Sequence, residues 1–196
     1  MVPHPPLLVP EIAAGAAVET AALREASLVA AGALAQRCPR WVLIAGWLRG
    51  QVGAAHVSVA VCPVPPGSST AQCRRIGNEL AQRLRRYGDP VGLLVLGDGA
   101  ATHTLRAPGY LDCRAHRLDE TVAEALAAAN ATALLDLDAA LAGELLVAGR
   151  EAWQVGAAAA QSLAPVYQGE LLYSAAPYGV AYHVALWDAV SPASVT

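Results

Sequence analysis

The chain has 196 residues, of which 55% are hydrophobic and 15% are charged, and its formal net charge at pH 7 is −3. This length predicts a single domain that spans residues 1–196. Its basic residues form no run longer than an Arg pair, so nothing indicates binding to nucleic acid. We find no basic segment followed by an apolar stretch at the N-terminus and no apolar run of the ~18 residues that span a bilayer, which predicts a cytoplasmic protein without a membrane partner.

The low charge bears on the oligomeric state of the protein, and the cysteine spacing excludes some classes of protein. The charged fraction lies below the roughly 25% typical of globular domains. A charge-poor surface favours burial of apolar area against a partner, so we expect a homo-oligomer. No two of the four cysteines form a C-x-x-C pair, which argues against a zinc ribbon or a thioredoxin-like motif.

The N-terminal half alternates between predicted helices and strands. Four prolines in residues 1–10 exclude a regular helix or a central strand. Residues 11–37 are predicted to form one long Ala-rich helix, and residues 71–87 an amphipathic helix. Residues 40–46 and 52–62 are predicted to form strands, the first of them buried on both faces.

The C-terminal half continues this alternation. Residues 91–96 give the clearest buried strand, and it leads directly into a turn of small residues at 97–104. Further helices are predicted at 119–129, 135–147 and 151–163, and further strands at 169–174 and 180–187. Asp119 and Glu120 suit the positive N-terminal end of the first of these helices. The whole pattern predicts an α/β fold with a central, mostly parallel or mixed sheet flanked by helices on both faces.

Two histidines are the main candidates for chemistry. His103 follows a buried strand and its turn, and sites in open α/β sheets lie beyond the carboxyl ends of strands. An imidazole there could act as a general base, although a purely local hydrogen bond is an equal alternative. His4 lies in the proline loop, which suits a metal ligand that must be held in one place, while a solvated histidine is the alternative that the loop alone favours. His183 lies on a predicted strand and is interpreted as structural.

Other motif signals are weak. The turn at residues 97–99 lacks both phosphate-binding glycine patterns. A G-x-S-x-G elbow surrounds none of Ser68, Ser69 and Ser174, which argues against an α/β-hydrolase. Several carboxylates of the C-terminal third could complete a metal site, although solvation at the surface is commoner: Glu144, Glu151 and Glu170.

Several segments resemble one enzyme family. The main ones are PHPPLLVPE (residues 3–11), LLVLGDGAATHT (93–104) and SAAPYGVAYHVALW (174–187), with APGYLD (107–112) and LLVAGREAW (145–153) between them. Their order and spacing are similar to those of the class III extradiol ring-cleavage dioxygenase family, in its LigB and Memo types, and most of all to actinobacterial members. The resemblance covers most of the chain and implies a central sheet flanked by helices, arranged as a three-layer sandwich.

The resemblance also implies roles for particular residues. Extradiol enzymes hold Fe(II) with two histidines and a carboxylate, leaving positions for a catechol and dioxygen, and a further histidine acts as acid/base. His4 matches the first metal histidine, His103 the acid/base histidine, and Glu151 falls near the third ligand. The second metal histidine is missing, because residues 44–48 (IAGWL) contain none. Its loss should weaken iron binding by more than the 10–100-fold that substitutions around the ligands cause.

Three hypotheses follow, in this order. The first is an extradiol-dioxygenase-like protein whose Fe(II) site is degenerate and which retains a small-molecule pocket near His4 and His103. Such a protein would bind a small aromatic or other ligand, or would serve as a partner subunit. The second is an active metalloenzyme, an oxidoreductase or hydrolase, with rearranged ligands for iron or another divalent metal; His56 or His183 could then replace the missing ligand. The third is a non-catalytic, oligomeric interaction protein. The sequence thus leaves open whether the protein is an enzyme and whether it holds any cofactor.

Overall fold

The computed structural model describes residues 1–3, 8, 14–16, 18–42 and 58–190. This part of the chain is a mixed α/β structure, which confirms the predicted class. The strands are β1 (Arg40–Val42), β2 (Ser58–Ala60), β3 (Val91–Leu93), β4 (Val166–Ala175) and β5 (Tyr182–Val190). The α-helices are α1 (Ala21–Arg37), α2 (Thr70–Leu84), α3 (Arg114–Ala127), α4 (Ala131–Leu135), α5 (Ala139–Glu144) and α6 (Arg150–Leu163), with short 3-10 helices at Ala14–Ala16 and Pro177–Gly179.

The strands form a parallel sheet and an antiparallel pair, which the first two residues of the chain connect. The parallel sheet has the order β2-β1-β3, and β4 pairs with β5. Val2 forms a parallel bridge with Leu96, just beyond β3. On the other side, the backbones of Met1 and Ala185 exchange hydrogen bonds. The segment before His4 therefore lies between the end of the parallel sheet and β5.

Strand β5 faces two separate apolar cores. Tyr182 and Val184 pack in a core with α1, whereas Ala185 packs in a core with α3 and α6. Successive side chains of a strand point to opposite faces, so His183 faces the same side as Ala185. This alternation directs His183 towards α3.

Helix α3 is amphipathic, and its apolar face carries one carboxylate. Ala115, Leu118, Val122 and Leu126 are buried at the spacing of one helical face. Asp119 is buried on that same face. A buried carboxylate needs hydrogen-bond partners inside the protein.

Several predicted boundaries are wrong. The helix predicted at 119–129 begins at Arg114, so Asp119 lies inside it and not at its positive end. Residues 135–147 do not form one helix: Asp138 caps a new helix by accepting a hydrogen bond from the N–H of Leu141, so α4 and α5 are separate. In the first predicted helix, the described part is a 3-10 helix followed by α1 from Ala21.

The remaining predicted elements agree with the structure within a few residues, except where they fall outside its described ranges. Helices α2 and α6 and strands β4 and β5 lie where the sequence predicts them. Parts of the strands predicted at 40–46 and 52–62 lie outside the described residues. None of the described helices combines the length and apolar character needed to cross a membrane.

Candidate functional site

The buried carboxylate of Asp119 is hydrogen-bonded to two imidazoles, those of His103 and His183. Asp119 Oδ2 lies 2.6 Å from His103 Nε2, and Asp119 Oδ1 lies 3.1 Å from His183 Nε2. The backbone N–H of Ala100 also donates to this carboxylate, 3.3 Å from Oδ1 and 3.2 Å from Oδ2. Three N–H donors offset the loss of water around the carboxylate.

The turn at residues 97–104 brings His103 to this carboxylate because its backbone is tied to the start of β5. The N–H of His103 donates to the carbonyl of Gly179, and the N–H of Gly99 donates to that of Ala181. Ala181 in turn donates to the carbonyl of Ala100. The two histidines therefore belong to adjoining backbone segments and meet at one side chain of α3.

Gly99 is required by the close approach of this turn to α3. A Cβ atom on Gly99 would lie 2.3 Å from Asp119 Oδ1 and 2.8 Å from the Cβ of Ala181. Any larger residue would displace the carboxylate or the strand. The absence of a side chain at Gly99 thus allows the turn to pack closely against Asp119.

The second nitrogen of His103 has no partner among the described residues. Nε2 of His103 carries the proton because it donates to the carboxylate of Asp119. The second nitrogen, Nδ1, is therefore left with a lone pair. Nδ1 is buried and makes no hydrogen bond in the described part of the chain. The exposed ring of His116 packs edge-on against the His103 ring, with centroids 4.6 Å apart. An oriented imidazole with a free lone pair can accept a proton from a ligand.

The second nitrogen of His183 does have a partner. Its Nδ1 lies 3.0 Å from the hydroxyl oxygen of Ser174, which is exposed. The indole ring of Trp153 packs against the His183 ring at a centroid distance of 6.1 Å. The two histidines thus differ: within the described part of the chain Nδ1 of His103 has no partner, whereas Nδ1 of His183 is hydrogen-bonded to a hydroxyl group.

Tyr182 precedes His183 on β5, and its buried side chain lies on the opposite face of the strand. Burial, with smaller contributions from the charges of Asp98 and Tyr173, raises the pKa of Tyr182 to about 12. The phenol therefore stays protonated at neutral pH.

Glu151, the predicted carboxylate ligand, makes two structural contacts. Its Oε1 atom lies 2.9 Å from the backbone nitrogen of Gly67 and 2.9 Å from Nη2 of Arg150, and it accepts a hydrogen bond from each. Arg150 is buried and also donates to the carbonyl of Ser68. The carboxylate thus neutralises a buried guanidinium at the N-terminus of α6.

The other carboxylates considered from the sequence lie apart from the histidine pair in their contacts. Glu144 accepts a hydrogen bond from the exposed guanidinium of Arg114. Glu170 lies on β4, opposite Leu186 in the strand pair. His4 and His56 lie outside the described residues.

The described residues do not by themselves form the iron-binding set that the resemblance implies. Within the ranges the structure describes, no group of three or more His, Cys, Asp or Glu side chains is arranged to hold a metal ion. The predicted ligand His4 is outside those ranges, so the pairing of His4 with Glu151 stays a prediction. We therefore derive no chemical step through a metal.

A groove of about 650 Å³ lies elsewhere, between α3 and the helices α4 and α5. Arg114, Arg117 and Asp136 are among the residues that line it, and neither His103 nor Asp119 is. It is distinct from the histidine pair in its lining.

Sequence reasoning singled out His103 but did not relate it to Asp119 or His183. Asp119 was placed at a helix end, whereas it lies inside α3 and accepts hydrogen bonds from both histidines. The signal for Asp119 was present, because it is the one charged residue among the buried positions of an amphipathic helix. Such a residue must find a polar partner inside the protein. No local pattern marked Ser174.

Comparison with known proteins adds no relative. No model of a protein family matches the chain, and no curated protein matches it either.

Proposed function

We propose that this protein is an extradiol-dioxygenase-like protein with a degenerate Fe(II) site, which binds a small, aromatic ligand next to His103. In this proposal the fold is the three-layer α/β sandwich of that family, with the pocket near His4 and His103. The observation that carries the proposal is the buried Nδ1 of His103, which has no hydrogen-bond partner among the described residues, while Nε2 of the same ring is bound to Asp119.

The chemistry of this pair suits a phenolic ligand. The lone pair on Nδ1 accepts the proton of a ligand hydroxyl, and the carboxylate of Asp119 stabilises the imidazolium that results. Because Asp119 also fixes the ring orientation, His103 needs little reorganisation when the ligand binds. This is the acid/base role that the resemblance gives to His103.

Exposed apolar side chains lie on the segments that adjoin His103. Leu105 and Tyr110 are exposed at 60% and 64% on the segment that follows His103. Tyr178, exposed at 51%, precedes the glycine whose carbonyl accepts from His103. Exposed apolar side chains of this kind favour contact with an aromatic molecule or with another protein surface.

The position of the N-terminal segment supports a shared pocket. Val2 runs parallel to Leu96, and the N–H of Gly97 donates to the carbonyl of Val2. Val2 therefore lies at the same edge at which the chain enters the turn that carries His103. The missing second histidine and the contacts of Glu151 with Arg150 favour a degenerate metal site.

Catechol titration tests the binding role. We expect catechol to shift the NMR signals of the His103 ring, and His103→Gln to weaken catechol binding about tenfold through loss of one hydrogen bond. Glu79→Gln, at an exposed position of α2, should bind near the wild-type affinity. Equal catechol affinity in His103→Gln and the wild type would contradict the proposal.

Metal analysis tests the degenerate site. Protein purified without a His tag should contain much less than one iron per chain and should not cleave catechol. One iron per chain with ring cleavage that His4→Ala abolishes would overturn the proposal in favour of an active metalloenzyme.

A further inference from the structure

The hydrogen-bonded chain from Asp119 through His183 ends at the hydroxyl group of Ser174, a residue at the surface. Asp119 lies 3.1 Å from Nε2 of His183, and Ser174 Oγ lies 3.0 Å from Nδ1 of the same ring. Since the carboxylate accepts at Nε2, this nitrogen carries the proton, and Nδ1 accepts from the hydroxyl of Ser174. A hydroxyl group, an imidazole and a carboxylate thus stand in the order that activates a serine nucleophile.

The three groups differ in exposure in the way that such chemistry requires. His183 is 2% exposed and Asp119 is 5% exposed, whereas Ser174 is an exposed residue. The indole of Trp153 makes an edge contact with the His183 ring, with ring centroids 6.1 Å apart. The base is therefore shielded from water, while Ser174 itself lies at the surface of the protein.

A β-bulge places Ser174 on the face of His183. In the first part of the strand pair Leu171 is opposite Ala185, but after the bulge Tyr173 is opposite Val184, which brings Ser174 opposite His183. Without the extra residue, Ser174 would be opposite Tyr182 and would face α1. Bulges often redirect a side chain at an active site, and this one brings the hydroxyl to the imidazole.

We propose that Ser174 is the nucleophile of a second site, which hydrolyses carboxylic esters with His183 as its base. This activity goes beyond the binding role of His103. Asp119 is a positioning residue here, since it orients the His183 ring without touching the substrate. The arrangement has no G-x-S-x-G elbow, but a serine triad is defined by geometry and can stand on any backbone.

The reaction has two balanced steps. Ser174 Oγ bonds to the ester carbonyl carbon while its proton moves to His183 Nδ1; the bond to the alcohol oxygen breaks, and the alcohol takes that proton. Water then bonds to the acyl carbon and passes a proton to Nδ1. The bond to Ser174 breaks, its oxygen recovers the proton, and the free acid leaves.

Covalent labelling tests the proposal with the full-length chain. A fluorophosphonate probe bonds to activated serines, and mass spectrometry locates the adduct. Ser69 is a suitable reference in the same molecule, because it is exposed and its hydroxyl contacts Gln72 instead of a histidine. We expect Ser174 to react at least about 100-fold faster than Ser69, the lower end of the contribution of a positioned base.

Two variants and an ester substrate complete the test. His183→Gln should slow labelling of Ser174 about 100-fold, towards the rate of Ser69, and Ser174→Ala should abolish both the label and the release of p-nitrophenolate from p-nitrophenyl acetate. If Ser174 reacts no faster than Ser69 in the wild type, the proposal is wrong, and this comparison does not depend on whether a variant folds. An unchanged labelling rate in a folded His183→Gln variant would also overturn it.

Discussion

The carboxylate of Asp119 lies 2.6 Å from Nε2 of His103, in the interior of the protein. The same carboxylate accepts from His183 and from the backbone of Ala100. Because one side chain satisfies three donors from two distant segments, it stabilises both the turn after β3 and the start of β5. Its removal should therefore affect the whole site.

Asp119→Asn should lower the free energy of unfolding by about 3 kcal/mol, measured by urea denaturation. The amide of asparagine offers one acceptor oxygen and places N–H donors against an imidazole N–H, so one histidine must change its tautomer. Nitrogen NMR of the imidazoles should report that change. Glu120→Gln is the matched control, since Glu120 is the neighbouring carboxylate and is exposed, and it should alter stability by less than about 0.5 kcal/mol. A small effect of Asp119→Asn would contradict the central place of this carboxylate.

Gly99→Ala should destabilise the protein by at least about 2 kcal/mol, because the new methyl group would overlap Asp119 and Ala181. Gly143→Ala provides the comparison: a Cβ there has no neighbour within 4 Å, and alanine favours helix α5. This second variant should be neutral or more stable by up to about 1 kcal/mol. Thermal unfolding of both variants checks the prediction, and equal melting temperatures would refute it.

The buried tyrosine predicts a loss of stability at alkaline pH. The pKa of Tyr182 is about 12 in the folded protein against 10.0 for an unperturbed tyrosine, mainly because of burial. The folded state therefore retains the phenol proton more strongly than the unfolded state. The resulting contribution of Tyr182 to the free energy of unfolding is complete below pH 10 and is lost as the pH rises from 10 to 12. The loss should reach roughly 2–3 kcal/mol.

Denaturation at several alkaline pH values measures this effect. Tyr182→Phe should remove that part of the decline, whereas Tyr110→Phe, at an exposed position, should retain it. A wild-type curve that is flat from pH 10 to 12 would show that Tyr182 titrates alike in the folded and unfolded chain.

Glu151→Gln should lower stability by about 1–2 kcal/mol, because Arg150 is buried and would lose its carboxylate partner. The hydrogen bond from Arg150 to the carbonyl of Ser68 would remain in this variant. Glu144→Gln is the matched substitution in an exposed ion pair with Arg114, and it should cost less than about 1 kcal/mol. Urea denaturation distinguishes the two, and a larger effect at Glu144 would contradict the structural role of Glu151.

The sequence alone determined the class of fold and the main elements of its C-terminal half. The apolar faces of α2 and α6 and the apolar runs of β4 and β5 are local patterns, so they could be recognised without the partners against which they pack. The turn with His103 was recognised for the same reason, since it directly follows a buried strand. Helix ends were not determined by local pattern alone: α3 begins five residues before its predicted start, and no side chain caps its N-terminus.

Only the tertiary structure decided what the site contains. Asp119 is separated in sequence by 16 residues from His103 and by 64 from His183, so no spacing rule relates them. Their meeting depends on which face of β5 packs against α3, and the place of Ser174 depends on a bulge that shifts the strand register by one residue. Local patterns specify which surfaces are apolar, whereas register and packing between distant segments specify which polar groups meet inside them.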